Sequence, residues 1–447
     1  MSQDYTDKNK DLGELYPAHI GMLKATYDDA LEQSGAAHAV IFSGALHYSF
    51  LDDNSYPFRA NPLFLAWAPL TALPLSYIVY TPGEKPSLIY YQPHDYWHSV
   101  PGAPDGFWSD EFDIRIVHEV ADAAKHLPPD RSKCILIGEL LNEAQAFGIE
   151  RINPSTMLNI LHLARGRKSA YELACMRLAS VRGAAGHKAA EQAFRNGASE
   201  FAIHQAFGKA VSLTDKELPY TNIIALNEHG AILHYTDLDR QPPADIRSFL
   251  IDAGAQVFGY ASDITRTYSR GNEQFAALIK RMDDMQQAIV AKVHAGLDYR
   301  DLHIETHRML AGVLVDADLA TGDPDTLLAT GVTSAFFPHG LGHLIGLQVH
   351  DVAGHMSDVS GTTIDPPSGH PFLRLTRVLH EDMVLTIEPG LYIIDMLLDN
   401  LRGSPAENHV NWHTVDALRP YGGIRIEDNV RVLTDGAENL TRDAFAQ

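Results

Sequence analysis

Four segments in the second half of the chain set carboxylates and imidazoles where an apolar backbone would not ordinarily leave them. In SFLIDAGAQVFGYASDITRTY, Asp252 closes one apolar run and Asp263 opens the next, so strand, glycine-punctuated turn and strand put two acids on adjoining arms of one hairpin. An acid inside FLID has to be paired, hydrogen-bonded or metal-bound, because burying it alone is costly. In FFPHGLGHLIGLQVHD, His339, His343 and His350 stand among glycines that let the backbone pass close to a ligand. Imidazole is the commonest nitrogen ligand of a transition metal and a proton carrier near neutral pH. MVLTIEPGLYI aligns Val384, Thr386 and Glu388 on one strand face and stops it at Pro389-Gly390, while GGIRIEDNVRVL sets Arg425 and Glu427 opposite Ile424 and Ile426.

Each segment alone has an ordinary reading: a turn with solvated acids, a loop with satisfied core histidines, a strand with a solvent face. Together, Asp252, Asp263, Glu388, Glu427 and His343 form a hard, oxygen-rich donor set that suits two divalent ions such as Mn(II). The absence of nearby thiolates argues against a structural zinc site. Two metals about 3.5–4 Å apart share a water, lower its pKa and polarise a carbonyl or phosphoryl oxygen, which is the equipment of a hydrolase.

The elements that must position these residues are legible in outline. Over the first part of the chain, the apolar runs AHAVIFSG, LSYIVYTPG, PSLIYYQP and CILIGEL alternate with helix-like YPAHIGMLKATYDDALEQSG, which predicts an α/β domain. The short, basic, glycine-broken LARGRK at Leu163–Lys168 is the expected boundary, giving domains 1–165 and 166–447. Beyond it SAYELACMRLASVRGAAGHKAAEQAFRNG, SEFAIHQAFGKAVSL and EQFAALIKRMDDMQQAIVAKVHAG read as helices. In the last of these Phe275, Leu278, Met282, Met285, Ile289 and Val293 recur at threes and fours as a core face. TNIIALN and AILHYT read as strands joined by a short turn, and the remainder is strand-rich, interrupted by the polar insertion LLDNLRGSPAENHVNWHTVDALRPYGG.

A length of 447 residues favours two domains over one core. No apolar run reaches the roughly 20 residues of a membrane helix, and the polar N-terminus lacks the apolar core of a secretory signal, so the expected location is cytoplasmic. Cys134 and Cys175 alone make no disulfide framework, in keeping with a reducing compartment. Lys plus Arg number 35 against 57 Asp plus Glu, and the formal charge of −22 excludes nucleic acid and anionic lipid as partners.

In this order, DAG…SDITRT, HGLGHLIGLQVHD, TIEPGLY and GIRIED resemble the metal-dependent pita-bread peptidases of the creatinase/aminopeptidase group, family M24, which includes methionine aminopeptidase, aminopeptidase P and prolidase. HYSFLDDNSYPFRANPLFLAW and the whole layout are similar to the long bacterial Xaa-Pro dipeptidases, near relatives of organophosphorus acid anhydrolases. The resemblance implies an α/β N-terminal domain, which supplies dimer contacts and the site rim, and an α+β pita-bread catalytic domain. It implies two divalent ions, Mn(II), with Asp252 on one, Asp263 and Glu427 bridging, and His343 with Glu388 on the other. A hydroxide between the metals would attack a dipeptide with C-terminal proline, Glu388 shuttling the proton. His350 and His234 of ILHYT would stabilise the oxyanion and His339 would shape the pocket. Arg374 of FLRLTR matches a clamp for the substrate carboxylate, Arg425 a support for Glu427 at the substrate's edge, and Tyr220 and Tyr299 match pocket-lining tyrosines. Asp53 matches an acid that reaches the neighbouring subunit's site in a homodimer, or in a dimer of dimers. GALHYS departs from the polar and basic residues usual before FLDD, which leaves selectivity at that rim open. Organophosphorus triester hydrolysis is the expected side activity. An aminopeptidase P-like activity is the alternative enzyme, and a non-catalytic binding protein the alternative class.

Overall fold

In a computed structural model, residues 3–139, 142 and 146–447 are described, residues 3–10 by their backbone alone. The chain forms two compact units, one of Met1–Cys175 with Phe258–Tyr260 and Asp358–Thr362, the other of Met176–Val257, Ala261–Ser357 and Thr363–Gln447.

The first unit opens with helix α1 (Gln3–Ser34) and carries strands β1 (His38–Phe42), β2 (Tyr77–Tyr80), β3 (Ser87–Tyr91), β4 (Asp113–Val117), β5 (Cys134–Ile137) and β6 (Arg151–Ile152) in one mixed sheet of order β4-β3-β2-β1-β5-β6. β1 runs antiparallel to β2 and parallel to β5. The four expected strands are β1, β2, β3 and β5. β2 and β5 are buried at every position, which is why they read as unbroken apolar runs. Edge strand β4, DIRIV, escaped the sequence reading because its middle is exposed and carries a charge. Leu140, at the end of CILIGEL, lies outside the described residues. Cys134 and Cys175 are both buried free thiols.

LARGRK starts in the last turn of α2 (Ser155–Arg165) and leads to α3 (Ala170–Arg195), and the two units divide inside α3, after Cys175. The second unit continues with α4 (Glu200–Val211), whose cap Ser199 accepts the Ala202 N–H. An antiparallel sheet follows, of order β9-β8-β7, from β7 (Ile223–Leu226), β8 (Ser248–Asp252) and β9 (Thr265–Ser269). AILHYT does not form the expected strand. Asn227 takes a left-handed φ of 55°, accessible to asparagine, and its amide oxygen accepts the Arg247 N–H at 2.7 Å, so the chain turns out of the ladder as a short 3-10 helix, Asn227–Ala231.

Helix α5 (Glu273–Val290) is capped by Asn272 and buries all its expected core positions, as does Val293 just beyond its end. It packs with α6 (Tyr299–Asp316) against β10 (Val384–Ile387), β11 (Gly390–Tyr392), β12 (Gly423–Arg425), β13 (Asp428–Leu433) and β14 (Gly436–Asn439). β13 pairs with β10 and β14, and β11 with β12. The polar insertion between β11 and β12 folds as short helices, Asp395–Asp399 and Trp412–Leu418. Met282, Leu310, Leu385 and Val430 are fully enclosed in the shared core, each contributing about 1.5–3 kcal/mol by leaving water. This core backs β10 and β12, just beyond whose ends lie Glu388 and Glu427, while β8, which ends in Asp252, packs Phe249 and Ile251 against Phe194, Phe207 and Ile224. Among the described residues no helix is long and apolar enough to cross a membrane.

Candidate active site

Asp252 ends β8 opposite Thr265 of β9, and Asp263 precedes that strand, so the hairpin ladder turns both acids toward one place. The turn closes tightly because of Gly254: a Cβ there would lie 2.0 Å from the Ser262 carbonyl oxygen. Tyr220 shares its hydroxyl proton between the two acids, 2.8 Å from Asp252 Oδ1 and 2.6 Å from Asp263 Oδ1. Asn429 of β13 fixes the Asp263 backbone from both sides, accepting its N–H at 2.9 Å and donating to its carbonyl at 2.6 Å.

Glu427 lies between β12 and β13 and exchanges backbone hydrogen bonds with Thr265, whose hydroxyl also donates to Glu427 Oε2 at 2.6 Å. The His343 segment lies along β10 in the same manner. Thr386 N donates to the His343 carbonyl, and Glu388 N to that of Leu341. This approach needs Gly342, where a Cβ would meet the Thr386 carbonyl oxygen at 2.1 Å. His343 Nδ1 donates to the Leu344 carbonyl at 3.0 Å, which commits Nε2 to the interior, 3.5 Å from both Asp263 Oδ2 and Glu388 Oε1.

The electrostatics are those of four acids crowded around too little counter-charge, that of Arg425 and His343. Burial, then the neighbouring Asp263 charge, raises Asp252 to about 6 against the pull of Arg425. Burial raises Glu388 to about 7 despite His343 and Arg425. Glu427 is pushed well above the carboxylate range by burial and by Asp263, Glu388 and Asp252. At Asp263 burial also raises the pKa, but the hydrogen bond and charge of His343, with Tyr220, outweigh it and hold the group low. Burial would lower His343, yet Asp263 and Glu388 keep it above its ordinary value. Four acids that cannot all ionise, facing one committed imidazole nitrogen, fit a pair of divalent cations. Donor atoms of Asp263, His343 and Glu427 already lie within 4.8 Å of one another.

These five residues line one cavity of about 450 Å³ together with His234, His339, His350, Arg374 and Arg425. His234, His350 and Arg374 present exposed side chains to it. The His350 ring stands edge-on to His343 with centroids 4.3 Å apart, and partial desolvation within the cavity, followed by the His343 and Arg374 charges, lowers its pKa to about 4. His339 hydrogen-bonds Tyr392 Oη at 2.8 Å and is lowered by burial to about 3, so both rings are neutral at pH 7.

Other expected residues stand elsewhere. Tyr299 does not line the cavity: it is fully buried at the start of α6, with its hydroxyl donating to the Thr386 carbonyl at 2.9 Å, so it braces β10. Tyr220 positions two acids and is absent from the cavity lining. Arg425 is buried and engaged by Asp252 Oδ2 at 2.6 Å, Tyr392 Oη at 2.9 Å and Thr265 Oγ1 at 3.2 Å, so its direct carboxylate partner is Asp252, with Glu427 reached only through Thr265. Asp53 belongs to the first unit, exposed in a turn where Asp52 Oδ1 accepts its N–H. Sequence reasoning passed over Thr265, Tyr392 and Asn429, and placed Thr386 on the strand face of Glu388 without giving it a role. Both threonines sit two residues from a candidate ligand in strand alternation, and that proximity was the available signal. His355 also lines the cavity and was not singled out.

Comparison with known proteins supplies an independent line. A family profile described as Xaa-Pro dipeptidase, N-terminal domain, matches residues 14–163, and one described as Metallopeptidase family M24 matches residues 174–434. An Xaa-Pro dipeptidase of Stenotrophomonas maltophilia (strain K279a) is 53% identical over 439 residues, covering 98% of each chain. One from Xanthomonas oryzae pv. oryzae (strain MAFF 311018) is 53% identical over 97% of this chain and 98% of its own. Among solved structures, Escherichia coli aminopeptidase P with the inhibitor Pro-Leu superposes with a TM-score of 0.71 at 22% identity, covering 97% of this chain and 95% of that one.

Proposed function

This chain belongs to metallopeptidase family M24, and on that footing we propose that it is an Xaa-Pro dipeptidase, hydrolysing dipeptides with a C-terminal proline. The carrying observation is one cavity that joins five metal-type donors, Asp263, His343 and Glu427 buried and Asp252 and Glu388 partly buried, to an exposed guanidinium, Arg374. Asp252, Asp263, His343, Glu388 and Glu427 would hold two divalent cations, which would supply an activated water and polarise the scissile carbonyl. Mn(II) suits a set of four carboxylates and one imidazole.

The remaining steps belong to the protein's own groups. Arg374 grips the substrate carboxylate through its planar fork and so fixes the proline end. Glu388, with Oε2 3.7 Å from His339 Nδ1, takes the proton from the attacking water and passes it to the prolyl nitrogen. His350 and His234 donate N–H hydrogen bonds to the developing oxyanion, His350 as a neutral ring. Asp53 reads as a residue presented to a second copy of the chain. Its neighbours Phe50 and Leu51 are 91% and 90% exposed, an apolar tip that another subunit would cover in a homodimer.

Metal-depleted protein is expected to regain Ala-Pro and Leu-Pro cleavage on adding Mn(II), with Ala-Pro-Gly cut poorly. Efficient tripeptide cleavage would instead favour the aminopeptidase P reading, because a carboxylate clamp at the proline excludes a following residue. Sedimentation should give a dimer that Leu51→Asp weakens, and a monomeric wild type removes the second-copy role from Asp53.

A further inference from the structure

Helix α6 carries His303 and His307 one turn apart, so that both rings share a helix face. His370, four residues before Arg374, meets them there. The ring centroids are 4.8 Å apart for His303 and His307, 4.7 Å for His303 and His370, and 4.5 Å for His307 and His370. His303 and His307 are 1% and 0% exposed, yet both ring nitrogens of His303 and Nε2 of His307 have no hydrogen-bond partner. Only His307 Nδ1 is engaged, by Thr333 Oγ1 at 3.1 Å. A buried polar group without a partner is destabilising, and Leu or Phe would fill the same space without that cost. A second cluster, around Glu200, makes the contrast. Its carboxylate already accepts from Leu226 N, His229, Tyr235 and Asp239 N, which leaves no open position.

We propose that His303, His307 and His370 form a separate metal site that takes zinc, with a water as fourth ligand. Nitrogen atoms of the three residues lie within 4.8 Å of one another. A tetrahedral ion at 2.0–2.1 Å sets about 3.3 Å between donors, so the rings need close by at most about 1.5 Å around it. His370 is the least buried of the three and the one able to make that adjustment, and it leaves the ion a way in. Burial, reinforced by the mutual repulsion of the rings, lowers His303 to about 2 and His307 to about 3, so the lone pairs are available at neutral pH. Three imidazoles and no carboxylate select Zn(II) or Co(II) over Mn(II), the opposite preference to the acid-rich centre. Zinc there would tie the segment leading into Phe372 and Arg374 to α6 and so steady the guanidinium assigned to the substrate carboxylate.

The test is a metal count on the full-length enzyme. Asp263→Asn, which disables the acid-rich centre, is expected to keep one tightly held zinc per chain after exposure to zinc and gel filtration. Asp263→Asn/His307→Gln and Asp263→Asn/His370→Gln should each lose it. Titration with Co(II) should give the intense visible bands of a tetrahedral nitrogen site in the first protein and not in the other two. His370 is half-buried, so its replacement keeps the test open if the His307 variant misfolds. Equal zinc content in all three proteins, or none in Asp263→Asn alone, overturns the proposal.

Discussion

Thr386→Val isolates the coupling between two candidate metal ligands. Thr386 Oγ1 accepts the His343 backbone N–H at 3.0 Å and donates to Glu388 Oε1 at 3.3 Å, and the residue is fully buried. Valine keeps the shape and strand preference and removes only the hydroxyl. Two separable losses follow. The hydrogen bond to an ionised carboxylate is worth about 1.5–3 kcal/mol, the lower end suiting a 3.3 Å contact, and it matters most when Glu388 is charged and bound. That share corresponds to a 10–100-fold loss of metal affinity, the usual scale for groups that orient ligands. The stranded His343 N–H costs about 1–3 kcal/mol with or without metal, and shows as a Tm lower by a few degrees. Leu-Pro turnover against buffered free Mn(II) reads the first loss as a shifted midpoint, and calorimetry of metal-stripped protein reads the second. A midpoint within twofold of wild type beside a lowered Tm would refute the coupling and leave Thr386 a purely structural residue.

Asp263→Asn should lose the metal of the acid-rich centre and activity together, and full activity with wild-type Mn(II) content would remove its bridging role. Arg374→Met should lower kcat/KM for Leu-Pro by about 10–100-fold, mostly through KM, because a charge-assisted fork is lost, while leucyl-prolinamide changes little; equal losses on both count against a carboxylate clamp. Metal-stripped protein should lose stability as pH rises. Asp252 is raised from 3.8 to about 6 and Glu388 from 4.5 to about 7, so the folded state keeps protons the unfolded chain releases near pH 4. The stabilisation is complete below that and lost through pH 6–7, about 3 kcal/mol for either group, without simple addition because the acids share protons. Urea midpoints from pH 4.5 to 8 measure it, and a stripped protein that holds or gains stability across that range contradicts the crowded-acid account.

What could be read from the sequence was what repeats locally. α5 follows a 3.6-residue period and β2 and β5 are continuous apolar runs, so packing simply enforces the pattern. AILHYT failed because a single left-handed Asn227 diverts the chain, and β4 because an edge strand need not be apolar. Asp252, Asp263, Glu388 and Glu427 stood out since each interrupts or ends an apolar run beside a glycine, proline or turn. Their distant partners did not: Arg425 stood out beside Glu427, but its carboxylate partner Asp252 is 173 positions away, and Asn429 and Asp263 are separated by 166. No local period reports such pairs. Tyr299 was misplaced for a related reason: a tyrosine at a helix start looks the same whether its hydroxyl reaches a cavity or, as here, the back of a strand.

Charge accounting separates the two arginines near the cavity. Four carboxylates, Arg425, two divalent cations and one hydroxide come to about zero net charge, whereas omitting Arg425 leaves the group negative. Arg425 is thus part of the internal balance, held 2.6 Å from Asp252 and committed further to Tyr392 and Thr265. A substrate carboxylate entering that neutral centre brings a new negative charge that Arg425 cannot also satisfy without releasing Asp252, a buried acid whose abandonment is among the more expensive events in a protein interior. The entering charge therefore needs a cation outside the balance, exposed and on the same cavity. Arg374 meets both conditions, which supports the proposed carboxylate clamp on electrostatic grounds separate from any likeness to known peptidases.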